Sequence, residues 1–234
     1  MKSLCWAAVL AVVSVLFASC LDNEENTPVF GSFFTVQKSA ASASGYELIQ
    51  DMSGDRYFPS LESIGMVRLD NVKRAFLVYS YQDDESLAQG ENGIYYIDLV
   101  YSSSAFPIET KDLCTQQDTL RNDSISSFSS IWAYGDYVTT AANYYVYRRT
   151  FIDMVKEKVS NDTLYMRLNT NLYKNEGYLG IASSYNSFRL PEAGDLEAEG
   201  IRPVGDSIVI AVAAKVAKDY QSETQYRYCK YKLE

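Results

Sequence analysis

The side chain with the clearest chemistry in this sequence is the thiol of Cys20. Residues 15–26, VLFASCLDNEEN, change at this cysteine from an apolar run to acids and asparagines. Residues 1–19 combine one lysine, a short apolar core and small residues at the end, which is typical of an export signal and too short for a membrane span. The ending FASC predicts a lipoprotein signal peptide, with cleavage before Cys20 and a diacylglycerol on its thiol. An ordinary secretion signal with a chance cysteine is the alternative.

The residues after Cys20 favour a tether that leaves the membrane. Residues 20–29 contain three acids, no base and Pro28, so we expect an acidic, disordered segment. Acids directly after a lipidated cysteine also resemble the signals that display lipoproteins on the surface of Gram-negative bacteria. The predicted location is therefore the outer membrane, lipid-anchored and exposed at the cell surface, although a plain solvated linker would look the same.

Charge and residue usage exclude several classes of function. The chain has a formal net charge of −9 and no histidine, and loss of Lys2 with the signal makes the mature chain more negative still. This charge argues against a nucleic-acid partner, and the missing histidine removes the commonest general base and zinc ligand. Acids at 22–26 and 82–86 lack the spacing of a calcium loop. We therefore predict no enzyme, no cofactor and no metal site, while a pair of carboxylates that meets only in the fold stays open.

Two cysteines besides Cys20 remain in the mature chain, Cys114 and Cys229. In an oxidising compartment they could form a disulfide. The alternative is two small, buried thiols.

A short pattern of Asp, a hydroxyl residue and an apolar residue recurs four times. It resembles the acceptor site for O-linked sugar on exported bacterial proteins, whereas the structural alternative is a turn that leads into a strand. The candidate acceptors are Thr119, Ser124, Thr163 and Ser207.

Tyrosine is the residue type best suited to bind a ligand here, with 20 in the chain. Its ring can offer a flat face to a sugar or an amphipathic edge to a protein. Tyrosine also suits half-buried strand positions, which is the alternative for each of them. The candidate ligand-facing residues are Tyr95, Tyr96, Tyr144, Tyr145 and Tyr147.

The elements that must position these residues are strands. Short runs of Val, Ile, Phe, Tyr and Thr alternate with turns, as in RAFLVYSYQ at 74–82 and SFRLP within 184–191. The apolar run 207–216 should be a central strand, and Asp51 and Asp55 should flank a turn. We predict about five strands in a first domain at 30–113, a linker at 114–129, and six or seven strands in a second domain at 130–234.

The order of these segments resembles the NigD-like family of bacterial lipoproteins. The resemblance rests on FFTVQ, DRYFPS, SIWAYGDYV and the series that ends in GDSIVIAV, and it covers nearly the whole mature chain. It implies an all-β fold with an N-terminal OB-like barrel followed by a C-terminal β-sandwich. Because the family is named for an inferred immunity gene beside a bacteriocin gene, it also implies a non-catalytic module that binds or protects at the cell surface through an unknown protein partner. The alternatives are a glycan-binding accessory of a surface nutrient-uptake system and a structural component of the envelope.

Overall fold

A computed structural model describes residues 27–65, 67–83, 90, 93–101, 105–114 and 122–233. The predicted signal peptide, Cys20, most of the tether and Thr119 lie outside the described residues. Among the residues that are described, no helix is long and apolar enough to cross a membrane.

The first unit is a small β-barrel. Its elements are β1 (Phe30–Lys38), β2 (Tyr46–Gln50), β3 (Arg56–Pro59), helix α1 (Leu61–Ile64), β4 (Arg74–Tyr81), β5 (Ile94–Leu99) and β6 (Phe106–Ile108). The strand order is β1-β2-β3-β5-β4-β6, and β1 also pairs with β4, which closes five strands into a barrel. Apolar side chains at alternating strand positions, such as Phe34, Leu48, Leu77 and Ile97, fill its core.

The second unit is a β-sandwich. Its elements are β7 (Thr110–Lys111), β8 (Ser127–Tyr134), β9 (Tyr137–Tyr147), β10 (Thr150–Ser160), β11 (Thr163–Leu172), a 3-10 turn (Lys174–Glu176), β12 (Tyr178–Arg189), helix α2 (Ala193–Ala198), β13 (Ser207–Lys218) and β14 (Gln221–Lys232). Strands β7-β12-β9-β8 form one sheet, here called the front sheet, and β10-β11-β13-β14 form the back sheet. The predicted all-β class, with a barrel followed by a sandwich, is confirmed.

The domain boundaries of the structure differ from the predicted ones in two places. Strand β7 falls within the range 30–113 but pairs with β12 of the front sheet. Strand β8 begins at Ser127, inside the predicted linker 114–129. Both differences arise because short polar segments gain their hydrogen bonds from neighbouring strands, which a break in alternation does not reveal.

Part of the predicted linker fills a split in the back sheet. The parallel pairing of β11 with β13 ends at Leu168 and Ala214. Beyond this point Asp123 N donates to Thr170 O at 2.8 Å, and Ile125 N donates to Lys215 O at 2.8 Å. The segment 123–125 therefore lies between the two separating strands and then leads into β8 of the front sheet.

The turn between β8 and β9 depends on a glycine. Two residues, Gly135 and Asp136, connect Tyr134 to its partner Tyr137. Gly135 has φ +51°, a left-handed conformation that a side chain would strain. This tight turn fixes the β8–β9 hairpin that contacts the barrel.

Candidate functional site: a tyrosine patch beside the domain interface

The barrel is held on the front sheet by a buried ion pair. Arg74, which has no exposed surface, donates to both carboxylate oxygens of Asp51. The Arg74 guanidinium also reaches Thr35 Oγ1 at 2.7 Å and Thr139 Oγ1 of β9 at 3.0 Å, while Trp132 Nε1 of β8 donates to Asp51 Oδ2 at 2.7 Å. The bonds to Thr139 and Trp132 cross from the barrel to the sandwich, so the pair fixes how the two domains pack.

Aromatic rings extend this interface. The ring of Phe33 lies 4.8 Å from Trp132 and 4.9 Å from Tyr185, and Phe106 stacks on Tyr185 at 5.8 Å. Tyr185 and Trp132 lie on the outer face of the front sheet, because Ala142 and Tyr144 of β9 face the sandwich core. The barrel thus covers the half of this outer face that lies next to the β8–β9 turn.

The other half of the same face carries a group of exposed aromatic and apolar side chains, here called the tyrosine patch: Tyr145, Tyr147, Tyr178 and Ile181. Tyr147 pairs with Tyr178, and Tyr145 pairs with Ile181 across β9 and β12. The Tyr178 ring lies 5.4 Å from Tyr147 and 6.5 Å from Tyr145, which are both half-buried. Tyr178 and Ile181 are 55% and 54% exposed. Side chains directly opposite each other share one face of a sheet, so all four form one surface.

A polar row lies between the patch and the barrel. Ser183 Oγ donates to Asn143 Oδ1 at 2.6 Å, and Asn143 Nδ2 donates to Ser127 Oγ at 2.8 Å. An amide and two hydroxyls on neighbouring strands are therefore already oriented by one another beside the aromatic rings.

A cleft of about 500 Å³ lies at the end of the sandwich next to the patch. It forms where residues 123–125 separate β11 from β13. Lys174 Nζ lies 3.3 Å from Asp123, and Lys215 Nζ donates to Asn122 O at 3.4 Å. The lining residues are Asp123, Ser124, Tyr145, Tyr147, Leu172, Lys174, Lys215, Ala217, Lys218, Asp219, Tyr220 and Gln221. Three lysines against two aspartates make this end locally positive on an acidic chain.

The structure brings together only two of the five predicted tyrosines, Tyr145 and Tyr147. The prediction for Tyr144 is wrong, because successive strand residues point to opposite faces and this ring is 1% exposed in the core. Its hydroxyl accepts from Asn186 Nδ2 at 3.4 Å, and burial raises its pKa to about 12. Tyr95 stacks on Tyr57 in the barrel at 5.0 Å, and Tyr96 is 44% exposed in the same strand. These last two lie in a different domain from the patch.

Sequence reasoning missed Tyr178 and Ile181. The segment YLGIASSY, 178–185, contains a glycine, has little alternation, and has a bulge between Tyr178 and Gly180. Its lack of any charged residue was the signal that could have identified it as part of a contact surface.

The disulfide considered between Cys114 and Cys229 is not formed, because the two residues lie at opposite edges of the back sheet. Cys114 lies beside Val155 at the β10 edge of the back sheet, whereas Cys229 lies on β14 at the opposite edge. Strands are about 4.8 Å apart, so three intervals put the two edges about 14 Å apart, beyond the roughly 7 Å limit between the Cα atoms of a disulfide. Burial raises the pKa of the Cys229 thiol to about 12.

The candidate sugar acceptors are dispersed, and their modification stays a prediction. Ser124 lines the cleft. Thr163 Oγ1 donates to Asp162 Oδ1 at 2.9 Å, and Ser207 Oγ donates to Asp206 Oδ1 at 2.8 Å. The bond from Ser207 holds the pKa of Asp206 below its ordinary value. In both places the aspartate and the hydroxyl residue stand at the start of a strand, as the structural alternative requires.

Within the described ranges, no group of three or more His, Cys, Asp or Glu side chains is placed to hold a metal ion. The described chain thus offers an exposed aromatic surface, an oriented polar row and a cleft of mixed charge.

Fold and site together define a two-domain β protein, in which a barrel is fixed on the outer face of a sandwich. No protein-family model matches the chain, and no curated protein matches it either. The chain does match several solved structures. A candidate lipoprotein of Bacteroides fragilis has a TM-score of 0.64 at 12% identity, with 88% of this chain and 99% of that chain covered.

Two other solved structures share the arrangement. A candidate toxin-related protein of Parabacteroides distasonis gives a TM-score of 0.60 at 16% identity, over 88% of this chain and 94% of that one. A NigD-like immunity protein of Bacteroides caccae gives a TM-score of 0.53 at 16% identity, over 87% of this chain and 93% of that one. The chain has the fold of a NigD-like protein, which confirms the resemblance predicted from its sequence at the level of the fold.

Proposed function

We propose that this protein is a non-catalytic binding module of the outer membrane, lipid-anchored through Cys20 and exposed at the cell surface, that contacts its partner with the tyrosine patch. The observation that carries the proposal is the patch itself. Two side chains that a monomer would normally cover, Tyr178 and Ile181, are each more than half exposed beside two further tyrosines.

Tyrosine side chains favour tight binding because they are large and have few rotatable bonds. The ring buries a large area at a small cost in side-chain entropy, and the hydroxyl tolerates water at the rim. Residues that dominate binding energy at protein interfaces are enriched in Tyr, Trp and Arg. Arg148 and Arg149 are exposed directly after Tyr147, so the patch also has a cationic border.

The patch lies away from the contact between the two domains. The tether enters the barrel at β1, and the barrel contacts β9 near Tyr137 and Thr139. Strand β9 rises about 3.4 Å per residue, so Tyr147 lies roughly 30 Å along the strand from this contact. The patch therefore lies on the part of the front sheet that the barrel does not cover.

A protective role is the first candidate for the partner. One solved protein of the same fold is a NigD-like immunity protein and another is a candidate toxin-related protein. Protection by binding requires an exposed contact surface rather than catalytic groups. The net charge of −9 favours a basic protein partner, since long-range attraction speeds encounter.

Glycan binding is the second candidate, and the polar row favours it. Asn143 and Ser183 offer an amide and a hydroxyl in the row next to Tyr145 and Ile181, as sugar recognition by stacking and hydrogen bonding requires. Retention of the protein on a polysaccharide array would support this function if Asn143→Ala and Tyr178→Ala both abolish it.

Capture from the native strain tests the binding site. Full-length protein with an affinity tag is cross-linked on intact cells, alongside the double variant Tyr145→Ala/Tyr178→Ala. The matched control is Tyr226→Ala/Tyr228→Ala, which removes two exposed, stacked tyrosines from β14. We expect a partner that wild type and control retain and the patch variant loses; equal capture by all three proteins would contradict the proposal.

Labelling with radioactive palmitate tests the anchor separately. The native chain should take up the label and a Cys20→Ser chain should not, because the serine hydroxyl does not replace the alkylated thiol. An unlabelled native chain would refute lipidation but not binding through the patch.

A further inference from the structure

Strand β12 has an open edge. It is the second strand of the front sheet, but its outer neighbour β7 pairs only with Ser187 and Phe188. Over residues 178–184, no strand of the described residues pairs with the side of β12 that faces away from β9. Among the described residues, seven residues of β12 thus have a neighbouring strand on the β9 side only.

The hydrogen-bond pattern identifies which backbone groups point out of this edge. Asn143 O accepts from Ser126 N at 2.9 Å, so the Asn143 backbone faces β8 and the Tyr144 backbone faces β12. The partner of Tyr144, Ala182, therefore faces β9, and its neighbours Ile181 and Ser183 face outward. Ser187 N, four residues beyond Ser183 and in the same phase, donates to Glu109 O at 3.1 Å on the outer side, as this assignment requires.

The edge lacks two of the features that usually prevent strands from associating, charge and proline, although it keeps a third, the bulge at Gly180. Natural edge strands carry charges or proline, yet residues 178–188, YLGIASSYNSF, contain neither. Instead Tyr178, Leu179 and Ile181 are 55%, 64% and 54% exposed. The bulge at Gly180 is the one irregularity along these residues.

We propose that this edge pairs antiparallel with the same edge of a second copy of the chain, across a two-fold axis at Ile181. Ile181 is the middle residue of the open segment 178–184. A two-fold axis at Ile181 therefore places the whole open segment of one copy beside the whole open segment of the other. In this register the outward N–H and C=O groups of Ile181 face the same groups of the second copy, and those of Ser183 face the bulged residue Leu179.

Charge favours a second copy as the occupant. The segment that would be paired has no charge, so two copies place no like charges opposite each other, although the chain as a whole carries −9. At one end of the edge, Arg148 N donates to Gly177 O at 3.2 Å. At the other end Glu109 lies beside Ser187, with its carboxylate 67% exposed and 3.4 Å from Lys111 Nζ. Antiparallel pairing brings Arg148 of each copy to the Glu109 end of the other.

The pairing has a consequence for binding, although it does not depend on the proposed function. Residues opposite each other in a sheet point to the same face, so the two tyrosine patches would lie on one face of a continuous eight-stranded sheet. A partner with two equivalent sites, or a repeating polymer, would bind such a pair more tightly than a single copy through effective concentration.

Disulfide trapping in intact cells of the native strain tests the two-fold pairing directly. Full-length Ile181→Cys is oxidised with copper-phenanthroline, beside wild type and Ser222→Cys, which places an exposed thiol on β14. We expect a covalent dimer for Ile181→Cys alone. Adding Ser183→Pro, which removes the outward N–H together with the hydroxyl that donates to Asn143, should abolish it. No more dimer for Ile181→Cys than for the two controls would overturn the proposal.

Amide hydrogen exchange tests the same edge without a substitution. In the native chain the Ile181 and Ser183 amides should exchange slowly, like those of Ala182 and Ser184, because both sides of β12 are bonded. Fast exchange at Ile181 and Ser183 alone would show an unpaired edge. Slow exchange without a covalent dimer would assign the edge to another protein, which also contradicts a second copy.

Discussion

Replacing Asp51 with alanine should separate the two domains before it unfolds either one. The Asp51 carboxylate neutralises a guanidinium with no exposed surface and accepts from Trp132 of the sandwich. Its loss leaves Arg74 as a buried charge that retains only the hydroxyls of Thr35 and Thr139. Water must then enter the interface to solvate it.

The size of the effect follows from burial. Removing one partner of a buried ion pair costs about 3–5 kcal/mol, because the remaining charge is uncompensated. The free energy of unfolding of a small protein is about 5–15 kcal/mol in total. For a protein of about 200 residues, each kcal/mol of lost stability lowers the melting temperature by roughly 2–4 °C. We therefore expect Asp51→Ala to melt about 6–20 °C below wild type.

Tryptophan fluorescence is the suitable assay. The chain has 2 tryptophans, Trp6 in the predicted signal peptide and Trp132 at the interface, so the mature protein reports from the interface alone. Emission during a guanidinium titration should shift to longer wavelength at lower denaturant in Asp51→Ala. The control is Glu223→Ala, which breaks an exposed ion pair with Lys218 and should barely move the midpoint.

A double replacement separates charge from packing. Asp51→Leu with Arg74→Met removes both charges while keeping bulk, so it should be more stable than Asp51→Ala alone. Equal midpoints for Asp51→Ala and Glu223→Ala, with unchanged Trp132 emission, would refute the role of the ion pair.

Further predictions concern single positions. Cys229 should react slowly with iodoacetamide at pH 8 until the protein unfolds, because burial keeps its thiol protonated; equal rates in the folded and unfolded chain would contradict this. Folding raises the pKa of both Cys229 and Tyr144, so their protonated forms stabilise the folded protein fully below about pH 8.5. This contribution to folding stability should decline as the pH rises towards 12, which melting curves at several pH values can measure. Gly135→Val should lower the free energy of unfolding by about 1–2 kcal/mol in chemical denaturation, because a residue with a side chain is strained at a φ of +51°. Ile125→Ala should cost about 2–5 kcal/mol, since this side chain is 2% exposed where residues 123–125 fill the back sheet. Mass spectrometry of the native protein should find sugar on at least one candidate acceptor, and four unmodified peptides would end that prediction: Thr119, Ser124, Thr163 and Ser207.

Local patterns predicted the strands well where apolar and polar residues alternate or where an apolar run is long. The strand predicted at 74–82 is β4, Arg74–Tyr81, and the central strand predicted at 207–216 is β13, between β11 and β14. The strand predicted at 184–191 is only the second half of β12, Tyr178–Arg189. Its first half escaped because Gly180 and the bulge break the pattern on which such predictions depend.

The site was only partly predictable, because contacts between distant residues leave no local signal. Asp51 was expected to flank a turn, and nothing near it indicates an ion pair with Arg74, 23 residues away. Adjacent tyrosines such as Tyr144 and Tyr145 must face opposite sides of a strand. The sequence could not tell which of them faces the core, since that depends on the strands opposite.

The affinity of the patch for its partner tests the proposed function most directly. Once capture from intact cells has identified a partner, its dissociation constant is measured with purified wild type, Tyr145→Ala/Tyr178→Ala and the control Tyr226→Ala/Tyr228→Ala. Central interface tyrosines cost about 2 kcal/mol each when truncated, so the patch variant should bind several hundred-fold more weakly. The control should bind like wild type. An unchanged constant for the patch variant would contradict binding through this surface.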